Sequence, residues 1–222
     1  MELTRLIMID KNFLAPLVRQ AQPFVTHLEQ IIEGVTDTTL CVHEVHDLIK
    51  QWCCKPLWLD PGWFSNITTR HDLILTGDDS AITAVLTVWP AKWKGVLHDH
   101  KSWSAIGCLC GKLRHSQWLS SAGKNLSADT LSLHREDAKF MSVRDVTVSP
   151  SGAIYRVDNC EEQDVALSLH VYGDKLRDKK RYIYKAVDGV DYSKLPDQTS
   201  CNFELHPHTN DSLVDLTTEK VT

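Results

Sequence analysis

Six short segments rich in β-branched and aromatic residues follow one another between residues 81 and 172. Glycine, proline, aspartate and asparagine separate these segments, as is typical of turns between strands. Several short strands at this spacing predict an antiparallel barrel or a double-sheet sandwich of the jelly-roll kind. The predicted strands cover residues 81–89, 103–111, 112–120, 145–150, 153–157 and 165–172.

Two segments upstream of the strands, residues 12–33 and 38–53, carry apolar residues at helical spacing. We expect Pro16 and Pro23 to break the first segment into short helices. The reason is that proline removes a helical hydrogen bond and clashes with the preceding turn. The sequence therefore predicts a helical preface to a β domain.

The length of 222 residues fits one domain with additions at its ends. We expect an N-terminal helical segment over residues 1–60 that packs on a barrel formed by residues 61–190. The sequence beyond about residue 190 is polar and largely aperiodic. Residues 191–222 are therefore predicted to form a partly mobile C-terminal extension.

Composition excludes several classes of function. A net charge of −5 and a pI near 6.1 give no basic footprint for nucleic acid or for an anionic membrane surface. No apolar run approaches the roughly 20 residues that span a bilayer, and the N-terminus lacks the features of a signal peptide. We therefore expect a cytoplasmic protein. Its seven cysteines should be free thiols, because their number is odd and their spacing shows no disulfide framework.

His98 and His100 lie two residues apart in a segment with strand character, GVLHDHKSW. Alternate residues of a strand face the same side, so both imidazoles should project into the barrel interior. Two neutral imidazoles and a third donor from another strand form a facial site with open positions. Such a site suits non-haem Fe(II) chemistry or, less specifically, Zn, Mn or Cu. Two ordinary surface histidines that flank a turn are the alternative.

This pair begins a spaced frame, in which His98-x-His100 is followed after three residues by Ser104 and after six more by Gly111. The spacing resembles the first motif of the cupin superfamily, in which an acidic metal ligand stands where this chain has Ser104. The acidic ligand is therefore absent from this frame.

A second frame follows about 50 residues later as Pro150-x-Gly152-x-x-Tyr155-x-x-x-Asn159. It resembles the second cupin motif, Pro-x-Gly-x-x-His-x-x-x-Asn, whose sixth position is a metal-binding histidine. Two such frames in this order imply a cupin barrel. We therefore predict a mostly β fold, a double-sheet, jelly-roll-like cupin barrel preceded by short N-terminal helices.

Two further strings sharpen the resemblance. Arg-Val-x-Asn directly follows Tyr155, and Ser168-Leu-His170-x-Tyr172 comes shortly after it. Both strings resemble the cysteine dioxygenase family, whose members oxidise small thiols to sulfinic acids with O2 and Fe(II). The strings HDHKSWSAIGCLCG and HVYG are similar to the bacterial 3-mercaptopropionate dioxygenase branch. The resemblance covers about residues 65–184.

The resemblance implies roles for individual residues. His98 and His100 match two iron ligands, and the family's outer-sphere triad, which hydrogen-bonds in series toward the metal, falls on Ser168, His170 and Tyr172. Because these three residues alternate along one strand, they should share a face, and a proton relay is physically reasonable.

The resemblance also implies how a substrate would be held. Arg181 lies near the arginine that binds the substrate carboxylate in mercaptopropionate dioxygenases, and Arg70 resembles the arginine that does so in cysteine dioxygenases. A guanidinium suits this role because it binds a carboxylate through two parallel hydrogen bonds. Ser104 or Ala105 occupies the region of a crosslinking cysteine in animal enzymes, so no such crosslink is expected here.

Tyr155 stands where the family has its third iron-binding histidine, and three interpretations remain open. The tyrosine could bind as a phenolate, a hard anionic donor that favours Fe(III), if the metal displaces a proton whose pKa is ordinarily about 10. It could instead leave the metal on two histidines with water or substrate, with His115 or His134 as possible replacements. In the third interpretation the pocket holds no metal and the protein is catalytically inactive.

The sequence thus predicts a thiol dioxygenase with Fe(II) as cofactor, and a small thiol and O2 as partners. One rival is a non-catalytic cupin that binds a small thiol or carboxylate, and another is a Zn or Mn enzyme such as an isomerase on the same barrel. The full Ser168, His170 and Tyr172 set favours the family's chemistry, because packing alone gives no reason for three polar residues in that register. Trp89, Trp93 and Trp103 are interpreted as core aromatics.

Overall fold

The computed structural model describes residues 11–55, 67–77, 79–127, 130–175, 182–187, 200–207 and 213–215. Within these residues the chain forms two helices and twelve strands. The helices are α1 (Lys11–Gly34) and α2 (Thr38–Cys53). The strands are β1 (His71–Ile74), β2 (Thr83–Trp89), β3 (Leu97–Asp99), β4 (Ser104–Cys110), β5 (Leu113–Ser127), β6 (Thr130–Met141), β7 (Val146–Ser149), β8 (Ile154–Asn159), β9 (Ala166–Tyr172), β10 (Tyr182–Ala186), β11 (Ser200–Pro207) and β12 (Leu213–Asp215).

Helix α2 confirms the predicted helix over residues 38–53. It is capped by Asp37, whose carboxylate accepts a hydrogen bond of 2.8 Å from the backbone N–H of Leu40 and so satisfies one open donor of the first turn. The apolar stripe of α2 is buried against the first sheet and α1. Cys41, Val45, Leu48, Ile49, Trp52 and Cys53 form this stripe.

Helix α1 corrects the expectation of several short helices, because it is a single helix of 24 residues that contains both Pro16 and Pro23. A proline inside a helix costs about 3 kcal/mol in lost hydrogen bonding and steric conflict. The apolar face of α1 offsets this cost by burial, with Phe24 and Leu28 completely inaccessible to solvent. Tertiary packing therefore overrides the local helix-breaking signal.

Two sheets carry the fold, and their strand order is that of a jelly roll. The first sheet runs β12-β1-β2-β9-β4-β7, and the second runs β10-β11-β6-β5-β8-β3 and closes into a ring. The eight strands from β2 to β9 are distributed as β2-β9-β4-β7 and β3-β8-β5-β6, and every neighbouring pair among them is antiparallel. This order confirms the mostly β, double-sheet jelly-roll barrel that the sequence predicts.

All six predicted strands are present, with ends that differ by a few residues; the largest difference is the extension of β5 to residue 127. The prediction missed β1, β6, β10, β11 and β12. Strands β11 and β12 lie in the stretch for which a partly mobile extension was expected, and β11 pairs with both β6 and β10. Much of β6 is polar, and the strand contains few β-branched or aromatic residues. Its place in the sheet therefore follows from pairing and not from an apolar pattern.

The three largest apolar clusters among the described residues occupy different spaces of the fold. The first lies between the helices and the outer face of the first sheet, and the second lies between the two sheets, inside the jelly roll. The third fills the ring of the second sheet around Trp118 and Phe203. Strand β9 divides between two of these spaces, because Leu167, Leu169 and Val171 face the helices while the alternate residues face the jelly-roll interior.

The cysteines whose side chains the structure describes are free thiols, as predicted. Burial raises the pKa of Cys53 and of Cys108 to about 12, so both are neutral thiols near pH 7. In the described part of the chain, neither helix is long and apolar enough to cross a membrane.

Candidate functional site

The histidine pair and Tyr155 meet inside the jelly roll. His98 lies directly opposite Tyr155 in the antiparallel pairing of β3 with β8, and His100 directly follows β3. The ring centroids are 4.8 Å apart for His98 and His100, 4.8 Å for His98 and Tyr155, and 5.4 Å for His100 and Tyr155. All three side chains are buried. The two cupin-like frames therefore bring two imidazoles and a phenol to one place.

The remaining residues of the second frame shape the backbone around this place. Gly152 has a φ of 79°, in the left-handed region that favours glycine, and its N–H donates a hydrogen bond of 2.8 Å to the carbonyl of His100. The side-chain amide of Asn159 contacts the carbonyls of Trp89 and Pro90 at 3.1 and 2.8 Å. Both residues bond to backbone carbonyls, whereas Tyr155 brings its ring to the two histidines.

His98 has a defined tautomer. Its Nδ1 lies 2.9 Å from the backbone carbonyl of Val96, and a carbonyl only accepts, so Nδ1 carries the proton. In the neutral ring the lone pair is then on Nε2, which is the nitrogen able to bind a metal. A metal-binding histidine commonly donates its other N–H to a backbone carbonyl in this way, because the bond fixes the ring orientation.

Tyr155 is 1% exposed and packs in the interior apolar cluster. A hydrogen bond of 3.4 Å joins its hydroxyl to that of Ser104, the residue at the position of the acidic ligand in the first frame. The ring of His115 lies 5.0 Å from that of Tyr155, and burial lowers the pKa of His115 to about 4. His115 is therefore a neutral neighbour of the tyrosine, hydrogen-bonded to Ser149 at 3.4 Å.

Ser168, His170 and Tyr172 form a continuous hydrogen-bonded series along β9. Ser168 Oγ is 2.7 Å from His170 Nε2, and His170 Nδ1 is 3.0 Å from the Tyr172 hydroxyl. The ring of Tyr172 stacks on His100, with centroids 4.4 Å apart. Burial, assisted by the positive charge of Arg70, lowers the pKa of His170 to about 3, so this imidazole is neutral near pH 7.

Trp89, which the sequence predicts only as a core aromatic, extends this series. Its indole N–H donates a hydrogen bond of 2.7 Å to Ser168 Oγ. The residue is buried at the end of β2, beside β9. This role could be predicted only from the register in which β2 pairs with β9, and the sequence alone does not reveal that register.

Of the two arginines predicted to bind a substrate carboxylate, the structure describes Arg70. The guanidinium of Arg70 lies over the ring of Trp89, 4.6 Å from its centroid. Its Nε and Nη2 contact the carboxylate of Asp72, with the shortest distance 2.7 Å, and Asp72 also accepts a bond of 2.8 Å from Thr87. Arg181 lies outside the described residues.

The fit of iron to this site depends on the donors around the two histidines. Among the residues that the structure describes, no three side chains of His, Cys, Asp or Glu form a group able to hold a metal ion. Neither His115 nor His134 therefore joins His98 and His100 in such a group within these residues. Iron does accept both imidazole and tyrosine ligands. The side chains of His98, His100 and Tyr155 thus fit iron if the tyrosine serves as the third donor.

No protein-family model matches the chain. Among solved structures, the fold is similar to a cupin-superfamily protein from Desulfitobacterium hafniense, with 10% identity, a TM-score of 0.37, and coverage of 54% of this chain and 90% of that one. An RmlC-like cupin from Methanocaldococcus jannaschii gives 10% identity, a TM-score of 0.35, and coverage of 49% and 84%.

The cupin domain of Schizosaccharomyces pombe Cnp3 gives 14% identity and a TM-score of 0.36. The similarity covers 50% of this chain and 64% of that chain, which is slightly less than two thirds of its length. Similarities of this size carry no argument about activity. The jelly-roll assignment rests on the strand order of the chain itself.

Proposed function

We propose that the protein is a thiol dioxygenase that adds both atoms of O2 to the sulfur of cysteine or a short mercapto acid, giving the sulfinic acid. The overall reaction, RSH + O2 → RSO2H, is balanced without a further reductant. Iron is the proposed cofactor, and the interior of the jelly roll is the proposed active site.

The observation that supports the proposal most is the buried series Ser168, His170 and Tyr172, whose last ring packs on His100. Burying polar groups costs free energy unless each finds a partner. Apolar side chains would fill the same space without this requirement. A hydrogen-bonded series in contact with a potential metal ligand therefore suggests chemistry at that place.

In this proposal His98 through Nε2, His100 and Tyr155 hold the iron. When bound, iron supplies the Lewis-acid and redox chemistry that allows a thiolate to react with O2. A phenolate is an anionic, hard donor that favours Fe(III), whereas the family's reaction begins with Fe(II). We therefore expect slower turnover than with a third imidazole.

The chain's own groups orient the reactants. The Tyr172 hydroxyl, held by His170, would hydrogen-bond the oxygen reactant or the thiolate beside it. A guanidinium would hold the substrate carboxylate, either that of Arg181 or that of Arg70. Arg70 would then have to exchange some of its bonds to Asp72 for bonds to the substrate.

The experiment is O2 consumption by protein loaded anaerobically with Fe(II), with cysteine and 3-mercaptopropionate offered separately. Uptake matched by sulfinate, and abolished in His98→Ala, would support the proposal. Absence of uptake from the wild type, but uptake from Tyr155→His, would show that the pocket is competent and that the tyrosine has stopped the chemistry. Absence of uptake from both proteins would contradict the proposal.

A second candidate is a non-catalytic cupin that binds a small thiol or carboxylate. The deep burial of Tyr155 in an apolar cluster, with its hydroxyl bonded to Ser104, favours it, because the tyrosine then has a packing role. This candidate predicts that cysteine or 3-mercaptopropionate raises the melting temperature of the metal-free protein without any O2 uptake. A thiol that stabilises only the iron-loaded protein would argue against it.

A further inference from the structure

The hydrogen-bonded series of Ser168, His170 and Tyr172 on β9, called the relay below, begins at the indole N–H of Trp89. An indole nitrogen can donate a hydrogen bond and cannot accept one. Trp89 Nε1 lies 2.7 Å from Ser168 Oγ, so the serine oxygen accepts this bond. The second partner of the hydroxyl is His170 Nε2, also at 2.7 Å. The serine therefore links the indole N–H, which can only donate, to His170 Nε2, which donates if it carries a proton and accepts if it does not.

The serine proton determines which role the ring nitrogen takes. Ser168 is completely buried, and its two hydrogen-bond partners in the described part of the chain are Trp89 and His170. If His170 Nε2 carried a proton, the Ser168 hydroxyl would receive two bonds and its own proton would have no acceptor. A buried donor without a partner is costly. The favoured arrangement has Ser168 donating to Nε2, which leaves the imidazole proton on Nδ1.

The proton on His170 Nδ1 then determines the direction of the hydrogen bond to Tyr172. His170 Nδ1–H donates to the Tyr172 oxygen over 3.0 Å. Tyr172 is therefore an acceptor toward His170, and its own O–H proton is directed elsewhere. Because the Tyr172 ring stacks on His100, this hydroxyl belongs to the candidate site. The depressed pKa of His170 agrees with a ring that carries a single proton.

We propose that Trp89 is a positioning residue that sets the tautomer of His170, so that the ring donates from Nδ1 to the Tyr172 oxygen. This inference stands on these hydrogen bonds and does not depend on the proposed function.

Arg70 and Asp72 explain how Trp89 is held. The guanidinium covers the face of the indole ring, and its position is fixed by the ion pair with Asp72, whose carboxylate is in turn bonded to Thr87. A cation over an indole face is attracted to the ring. This arrangement keeps the indole N–H aimed at Ser168.

The test is ¹⁵N NMR of the histidine rings in the full-length, metal-free protein near pH 7, with the His170 signals assigned from their loss in His170→Gln. The wild type should hold His170 as the Nδ1–H form in roughly tenfold excess or more, the ratio expected when the other form leaves a buried hydroxyl unpaired. Trp89→Phe removes the donor and leaves room for a water that can accept the serine proton. A mixture of both tautomers is therefore expected in this variant.

Trp118→Phe is the matched control, because Trp118 is also a buried tryptophan but lies in the ring cluster of the second sheet. It should leave the His170 tautomer unchanged. An Nε2–H form in the wild type would overturn the inference, and so would an unchanged tautomer ratio in Trp89→Phe. If Trp89→Phe does not fold, the wild-type tautomer and the response of Ser168→Ala decide the matter, since loss of the serine should also mix the tautomers. None of these signals depends on iron or O2, so a failure of the proposed activity would be seen separately.

Discussion

Tyr155 lies opposite His98 on the neighbouring strand, with His100 and His115 also against its ring. If its oxygen binds iron, protein loaded with Fe(III) should show a visible phenolate-to-iron charge-transfer absorption. Tyr155→Phe should remove this absorption while the protein remains folded, because the two side chains have nearly the same shape. Absorption spectra of the two proteins at equal iron loading provide the measurement.

Tyr172→Phe is the control for this prediction. Tyr172 also contacts His100, but its hydroxyl is bonded to His170. The absorption should therefore persist in Tyr172→Phe. Loss of the band in this variant, or its persistence in Tyr155→Phe, would contradict the assignment of Tyr155 as the third donor.

Asp158 lies outside the candidate site, but we expect it to contribute strongly to the stability of the fold. It is completely buried, and its carboxylate lies 2.6 Å from Arg114 Nη2 and 2.8 Å from Arg156 Nη2, and accepts a bond of 3.1 Å from the N–H of Gly95. Asp158→Asn would leave two guanidinium groups without their counter-charge. We expect the free energy of unfolding to fall by about 3–5 kcal/mol, as for other broken buried ion pairs.

Urea unfolding of Asp158→Asn against the wild type measures this effect. Glu162→Gln is the matched control, because the Glu162 ion pair with Lys92 is exposed and should contribute little. Equal losses of stability in the two variants would show that the Asp158 cluster is not the special contributor proposed here.

At the scale of elements, the packing of α2 on β4 depends on one glycine. A Cβ atom at Gly107 would overlap a methyl group of Ile49 and lie 2.7 Å from Cys53 Sγ, both on α2. Gly107→Ala should therefore push the helix from the sheet and lower the free energy of unfolding by about 1–3 kcal/mol. Gly34→Ala, where the new methyl group meets nothing within 4 Å, should show no such loss. Thermal unfolding of the two variants tests the contrast.

The elements also show what sequence patterns can and cannot predict. Strand β9 was predictable because its apolar and polar residues alternate between two buried faces. Strand β11 was not, because the segments around it are polar and its place depends on pairing with β6 and β10, which are distant in sequence. Helix α1 was predicted in extent but not in continuity, since burial outweighs the two prolines.

Some residues of the candidate site could likewise be predicted from the sequence, and others could not. The spacing of His98, His100 and Tyr155 indicated which residues share a site, because each frame fixes residues on paired strands. The partner of Ser168 could not be predicted, because Trp89 reaches it through the register of β2 against β9. Likewise, the contact of the Arg70 guanidinium with the Trp89 ring depends on the pairing of β1 with β2.

At the scale of the whole molecule, two buried histidines should make stability depend on pH. The folded state lowers the pKa of His170 to about 3 and that of His115 to about 4, whereas unfolded histidine titrates near 6.5. Below pH 6.5 the unfolded chain therefore binds protons that the folded chain does not. Their contribution is complete above about pH 6.5 and is lost as the pH falls toward 4.

Each histidine contributes a slope of up to about 1.4 kcal/mol per pH unit in this window. Urea unfolding of the metal-free protein should show little change in stability between pH 7.5 and about 6.5 and a loss from there to pH 5, and His115→Gln should reduce the slope of that loss by about half. A free energy of unfolding that stays constant from pH 7.5 to pH 5 would contradict this account.

The most direct test of the central claim follows the oxygen atoms. Iron-loaded protein supplied with ¹⁸O2 and either cysteine or 3-mercaptopropionate should yield a sulfinate that carries two labelled oxygens, as measured by mass spectrometry. His98→Ala under the same conditions should yield none. A wild-type product with one labelled oxygen or none, or no sulfinate from either thiol, would contradict the assignment of a thiol dioxygenase to this pocket.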